Sequence, residues 1–401
     1  MGHLAGGDWT GGFWVGELWL ACRATGSQRY AELAAGWCRA LRPRVASNTV
    51  WRSFLFYYGA ALGDILLGDQ AAAAIALEGA RGLTGLYNQR ASVLPLGTGT
   101  SERGGEQTVI DAVGPVSALL GWASEKTTDP AYRELAARHA RRHIELCVRD
   151  DGSVSQTATF DPRTGEVARR YSHQGYSDES TWARAQAWAM LGFVQSSRWL
   201  PERGAFLDTA VRVADWWIEH VPDDWVAFWD FSDPGIPAVE RDTSASAIAA
   251  VALLKLAQLV QDSDRRSRYG EAAAATVRAL VGRLSHPHRA RRPPAPGHPD
   301  RGLLSPAPRP RDQARADLGR LLPLRGAPDP PWQPQRPRGL SHTDTLNLSV
   351  NDTRRPNPHH YAAPLIACRA TLRCSRHRDE ASPFALCSTR NRPRRVVRRL
   401  R

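Results

Sequence analysis

VIDAVGPVSALLGWASE (109–125) is followed after five residues by AYRELAARHARRHIELCV (131–148), and this pair decides the fold. Apolar residues recur at spacings of three and four in both segments, which predicts two α-helices. The first is apolar nearly all round, as a helix buried on every side should be. The second has a charged face that suits an outer position. The same alternation recurs four more times. WTGGFWVGELWLACRATG (9–26) precedes RYAELAAGWCRAL (29–41), and FLFYYGAALGDILLG (54–68) precedes AAAAIALEGARGLTGLY (71–87). TWARAQAWAMLGFV (181–194) precedes AFLDTAVRVADWWIEHV (205–221), and SASAIAAVALLKLAQLV (244–260) precedes RYGEAAAATVRALVG (268–282). Five helical hairpins of this kind, stacked in a circle, predict an all-α protein: an (α/α)6 barrel, whose closed form has six pairs, incomplete at the C-terminus.

The segments entering the inner helices then emerge at one end. They read HLAGGDWTGG, SNTVWRS, SERGGEQTVID, YSHQGYSDES and VERDTSAS, the polar, aromatic and glycine-rich pieces of an otherwise apolar body. One rim collects the chemistry. Residues 150–172, with DPRTG at 161–165, read as a β-turn excursion over that rim.

Net charge is +13, which raises nucleic acid as a partner until the charge is located. Residues 285–401 hold 24 Arg, no Lys and 8 acidic residues, whereas residues 1–284 hold 29 basic and 32 acidic ones. The body is therefore near −3 and the tail +16, and 19 of the 28 prolines lie in the tail. The expected organisation is a catalytic barrel over 1–284 and an Arg/Pro-rich tail over 285–401, disordered or frameshifted. No stretch reaches the roughly 20 apolar residues of a membrane span, and Met1 leads into GHLAGGDWTGG without a basic and apolar leader. The expectation is a cytoplasmic protein with no membrane and no nucleic-acid partner. Cys22, Cys38 and Cys147 lie inside helical patterns without a CxxC spacing, so buried thiols are expected, with no metal and no cofactor.

Several rim residues suit a carbohydrate. Trp9, Trp14, Trp19, Trp182 and Trp188 supply flat apolar faces on which sugar rings stack. Core packing suits Trp14 and Trp19, inside a helix, better than Trp9 and Trp182, at helix entrances. Asp111 stands among Val109, Ile110, Ala112 and Val113. A carboxyl so placed is either a helix cap, the commoner role, or an acid whose pKa burial raises. Asp178 and Ser180 suit a cap for a helix opening at Thr181, and Arg184 suits a partner of Asp178 or of a substrate carboxylate. His173 suits a polar contact or a structural hydrogen bond. His139 and His143 have the i, i+4 spacing of metal ligands, but the arginines around them point to a solvated helix face.

WTGGFWVGELWLA, VIDAVGPVSALLGWASE, RDDGS, HQGYSDESTWARAQAW (173–188), WDF (229–231) and RDTSASAIAA together resemble the unsaturated glucuronyl hydrolases, glycoside hydrolase family 88. The resemblance covers most of residues 3–284 and implies an (α/α)6 barrel. It also implies removal of a 4,5-unsaturated uronic acid from the non-reducing end of oligosaccharides made by polysaccharide lyases. In that chemistry an aspartic acid protonates C4 of the enol ether, water adds at C5, and the hemiketal collapses to release the next sugar. The resemblance puts Asp111 at the acid/base position, and Gln174, Trp182, Arg184 and Trp188 at substrate-contacting positions, with His173 beside them and Trp9 as a stacking face.

The sequence departs from the family pattern at three places. VWRSF stands where the family has an HDxGF box, so Val50 and Trp51 replace a histidine and a second aspartate. Gln156 replaces a histidine, and Ala185 a glycine. These changes imply altered substrate contacts or impaired activity, and a catalytically inactive carbohydrate-binding barrel is the alternative function. Binding of nucleic acid by the basic tail is a further alternative. The family also continues into a last helix near an IWGDYY box, absent here. RADLGRLLPLRG (315–326), back-translated with one permitted codon set and read one base later, gives Glu-Leu-Ile-Trp-Gly-Asp-Tyr-Phe, which is why a frameshift is expected.

Overall fold

The computed structural model describes residues 9–285 except Glu102. The frameshift, disorder and nucleic-acid expectations for the tail lie outside the described residues, apart from Ser285, which ends the last helix.

The five hairpins are present. They are α1 (Gly11–Thr25) with α2 (Gln28–Leu41), then α3 (Arg52–Phe56), a π-helical turn (Tyr57–Ala61) and α4 (Leu62–Leu67) running on as one helix with α5 (Gln70–Thr84). The others are α6 (Val113–Thr127) with α7 (Pro130–Cys147), α8 (Ala183–Trp199) with α9 (Arg203–His220), and α10 (Thr243–Leu259) with α11 (Ser263–Ser285). Local chemistry starts and stops them. Asp69, Asp129 and Asp242 cap α5, α7 and α10 through their carboxylates, which satisfies otherwise orphaned amides. Gly26, at φ 67°, closes α1 in the left-handed conformation that glycine adopts without cost.

The first helices of the pairs, α1, α3–α4, α6, α8 and α10, pack neighbour to neighbour as the inner arc of an (α/α)6 barrel, each backed by its second helix. Five pairs lie within the described residues. α6 and α8 are buried nearly all round. Their backbones approach closely at Gly114 and Gly192, where a Cβ on Gly114 would stand 3.2 Å from the Gly192 Cα. In the second hairpin the π turn leaves the Gly59 carbonyl to accept the indole N–H of Trp19 at 3.0 Å.

The two ends of the arc differ from expectation. α1 packs on α2 and on the α3–α4 helix, and its third side leaves Trp14 40% exposed, so Trp14 is not a core residue. Trp19 is. On α10, Ile248, Val251 and Leu254 are half-buried. α7 also corrects the sequence reading: His139 and His143 are fully buried. His139 Nδ1 accepts from the Leu94 amide at 3.0 Å, and His143 Nε2 bonds Thr108 Oγ1 at 2.8 Å. The histidines are polar because they serve a chain segment crossing the helix. Burial holds both well below their ordinary pKa, His143 at about 4.

The rim excursion is a small antiparallel sheet, β1 (Gln107–Val109), β2 (Thr157–Phe160) and β3 (Val167–Tyr171), in the order β1-β2-β3. Asp161 Oδ1 accepts the Arg163 and Thr164 amides in the turn at 2.7 and 3.2 Å, and Gly165 follows at φ 81°. Cys22, Cys38 and Cys147 are buried free thiols. No described helix is long and apolar enough to cross a membrane.

Candidate active site

Asp111 does not cap α6. It sits in a 3-10 turn (Ile110–Ala112) between β1 and the helix, whose N-cap is Ala112. The sheet fixes that turn, since the Ile110 amide donates to the Gln156 carbonyl at 3.0 Å. The side chain is 5% exposed. Oδ2 accepts from Gln156 Nε2 at 3.3 Å, whereas Oδ1 is buried without a hydrogen-bond partner. Burial raises the pKa from 3.8 to about 6, against the lowering pull of the Gln156 bond, the Arg184 charge and the local backbone amide. A carboxyl in this state holds and releases a proton near neutral pH.

Gln156 joins this acid to the next rim segment. Its Nε2 also donates to Gln174 Oε1 at 2.8 Å, and its Oε1 accepts the Gln174 amide at 2.9 Å. Gln174 is exposed. The loop that carries it is clamped from two directions. Asp230, fully buried, accepts at Oδ2 from the Tyr176 amide (2.8 Å) and Ser180 Oγ (2.6 Å). Arg149 donates to Thr181 Oγ1 at 3.0 Å and to the Glu179 and Ser180 carbonyls at 3.0 and 3.3 Å. Ser180 is thus tied to Asp230 and does not cap a helix, and α8 begins at Ala183 without a side-chain cap. His173 is exposed, edge-on to Tyr171 with centroids 6.3 Å apart.

Arg184 is the second residue of α8. Its Nε and Nη2 reach Asp242 Oδ2 at 3.0 and 2.8 Å, and its guanidinium sits 5.0 Å from the Trp182 ring centroid. The expected partner, Asp178, instead pairs with Arg169. Asp242 does two jobs: Oδ1 accepts the Ala245 amide at 2.8 Å as the α10 cap, and Oδ2 holds the arginine. Trp182 is buried, with Arg184 over its ring, and Trp188 is buried against Phe54 (5.3 Å) and Phe13 (6.4 Å). Trp9 is half-buried at the rim, with Phe54 at 5.4 Å and Trp51 at 6.0 Å.

The structure therefore gathers Asp111, Gln174 and Arg184 into one polar wall, with Trp182 behind the arginine and Trp9 and Trp188 in an aromatic cluster. His173 stands off, on Tyr171. Gln156, Asp230 and Asp242 were missed as site residues. The signal for Asp242 was its capping position in RDTSAS, while Asp230 lay in the quoted WDF without an assigned role. Among the described residues no three His, Cys, Asp or Glu side chains gather as metal ligands would.

The model of Glycosyl Hydrolase Family 88 matches residues 102–288. The unsaturated glucuronyl hydrolase of Bacillus sp. (strain GL1) is 39% identical over 280 residues, 68% of this chain and 74% of that one. The unsaturated chondroitin disaccharide hydrolase of Streptococcus pyogenes serotype M1 is 34% identical over 41% of each chain. The crystal structure of the Bacillus sp. GL1 enzyme superposes with a TM-score of 0.64, covering 68% of this chain and 73% of that one at 38% identity. An unsaturated glucuronyl hydrolase specific for heparin superposes at 0.63, over 68% and 72%, with 27% identity.

Proposed function

The chain belongs to glycosyl hydrolase family 88 and is a glycoside hydrolase, and on that premise we propose that it removes a 4,5-unsaturated uronic acid from the non-reducing end of lyase-generated oligosaccharides. Asp111 is the acid and the base. Its protonated carboxyl delivers a proton to C4, and the positive charge that develops at C5 is shared with the ring oxygen. Water then adds at C5 and gives its proton back to the Asp111 carboxylate, so the residue ends as it began. The hemiketal formed at C5 opens and releases the next sugar.

The observation that carries this reading is the state of Asp111: buried, raised to about 6, with one oxygen unpartnered. The other roles follow from position. Arg184, held at Nε and Nη2 by Asp242, presents its remaining edge to the uronate carboxylate. Gln174, fixed through its amide and Oε1, turns its Nε2 to a substrate hydroxyl. Trp9 offers a stacking face, while Trp182 and Trp188 act from behind by packing.

The conjugated enol ether absorbs ultraviolet light, and hydration removes that absorbance. Purified chain mixed with unsaturated disaccharides should bleach it, and Asp111→Asn should not. A folded chain that bleaches none of them overturns the proposal. The second reading, an oligosaccharide-binding barrel without turnover, is favoured by Val50 and Trp51 in the place of a histidine and an aspartate, and the same assay separates the two.

A further inference from the structure

The rim has two unlike walls. Asp111, Gln174, Arg184 and Asp242 make a polar one, carried by the third to fifth hairpins. The first two hairpins make an aromatic one. Trp9 and Trp51 are both half-buried there, with centroids 6.0 Å apart and planes tilted by 34°. Each leans on Phe54, at 5.4 and 5.6 Å. Phe54 is itself buried and edge-on to Trp188 at 5.3 Å, so the two indoles rest against a fixed post. The backbone under Trp51 is fixed as well. Its amide donates to Thr49 Oγ1 at 3.2 Å. The Val50 amide donates to the Leu96 carbonyl at 3.0 Å, and the Leu96 amide to the Gln107 carbonyl at 2.7 Å. Gln107 opens the strand that ends at the Asp111 turn, so the aromatic wall and the acid share one frame.

We infer that Trp51, paired with Trp9, is a specificity-determining residue that stacks on the sugar bound to the reducing side of the unsaturated uronic acid. The inference rests on the proposed function. In the uronic acid ring C1 lies across from C4. With C4 at Asp111 and the C5 carboxylate at Arg184, the glycosidic oxygen points away from both and towards the remaining wall. A pyranose ring presents C–H groups on its face, which a half-exposed indole attracts through dispersion and its electron-rich π surface. Two indoles tilted by 34° cradle one such ring and select a second sugar with an open apolar face over one crowded by axial hydroxyls.

The test compares an unsaturated disaccharide with the methyl glycoside of the unsaturated uronic acid, which lacks the second ring. Trp51→Ala should lower kcat/KM for the disaccharide about tenfold more than for the methyl glycoside, a size set by the strength of ring stacking. Trp51→Phe should restore most of the difference. Equal losses on the two substrates, or none on either, overturn the inference while leaving the hydrolase reading intact. A native chain that turns over neither substrate sinks the hydrolase reading instead. The platform is then read from disaccharide binding by the Asp111→Asn chain, followed by tryptophan fluorescence. Weaker binding on adding Trp51→Ala supports the platform, and an unchanged Kd overturns it.

Discussion

Asp111→Asn should abolish turnover and stabilise the protein. Burial raises the carboxyl from 3.8 to about 6, so the native state holds a proton at pH values where the unfolded chain has released it. Native stability therefore falls as pH rises from about 4 to about 6, and the loss is complete above that. A shift of about two units is worth about 3 kcal/mol. Asparagine carries no charge to desolvate. Its Oδ1 keeps the Gln156 bond, while its Nδ2 takes the place of an oxygen that has no partner, and that unpaired amide returns about 1 kcal/mol of the gain. The net expectation is about 2 kcal/mol at pH 7.5, with little or no advantage at pH 4. Urea unfolding of the native chain and the variant at pH 4, 6 and 7.5 measures this through the midpoints, provided the slopes agree. A variant that is less stable at pH 7.5, or whose advantage is the same at every pH, refutes the assignment of a buried, strained carboxyl.

Asp242→Ala removes the α10 cap, about 1 kcal/mol, and frees Arg184; KM for unsaturated uronides should rise more than kcat falls, with a lower melting temperature beside it. A Cβ on Gly175 would stand 2.4 Å from Ser180 Oγ and 2.8 Å from Asp230 Oδ2, so Gly175→Ala should displace the Gln174 loop and cut kcat/KM about tenfold, on the scale of one lost positioning contact. His139 and His143 bind protons in the unfolded chain near pH 6.5 but resist them when folded, so their contribution is present above pH 6.5 and is lost as pH falls towards about 4. His143→Gln should flatten the acid limb of a melting-temperature profile.

Hairpins were legible because apolar spacing of three and four persists over thirteen or more residues in each quoted segment, and pairing follows from short connections. β1 was not legible. It is three residues long, and its partner β2 lies about fifty residues on, so no local alternation marks it, and Asp111 read as the start of a helix. The same distance problem hid the partner of Arg184, which is 58 residues away at Asp242. His139 and His143 were misplaced because flanking arginines describe only the outer side of α7, whereas the buried side is polar in order to bond Leu94 and Thr108. The rim itself was readable as an interruption of apolar sequence, and Asp111, Gln174 and Arg184 do meet there. What residue types along the chain do not carry is orientation: Trp182 looked like a free stacking face and is covered by Arg184.

The central claim is that one buried carboxyl delivers the proton, and the pH dependence of kcat/KM on an unsaturated disaccharide tests it most directly. The acid must be protonated to work, so the account predicts a rate that is level at low pH and falls through an apparent pKa of about 6, the value that burial gives Asp111. A limb near 4, where an ordinary solvated aspartate titrates, or a rate that does not fall between pH 5 and 8, would contradict it.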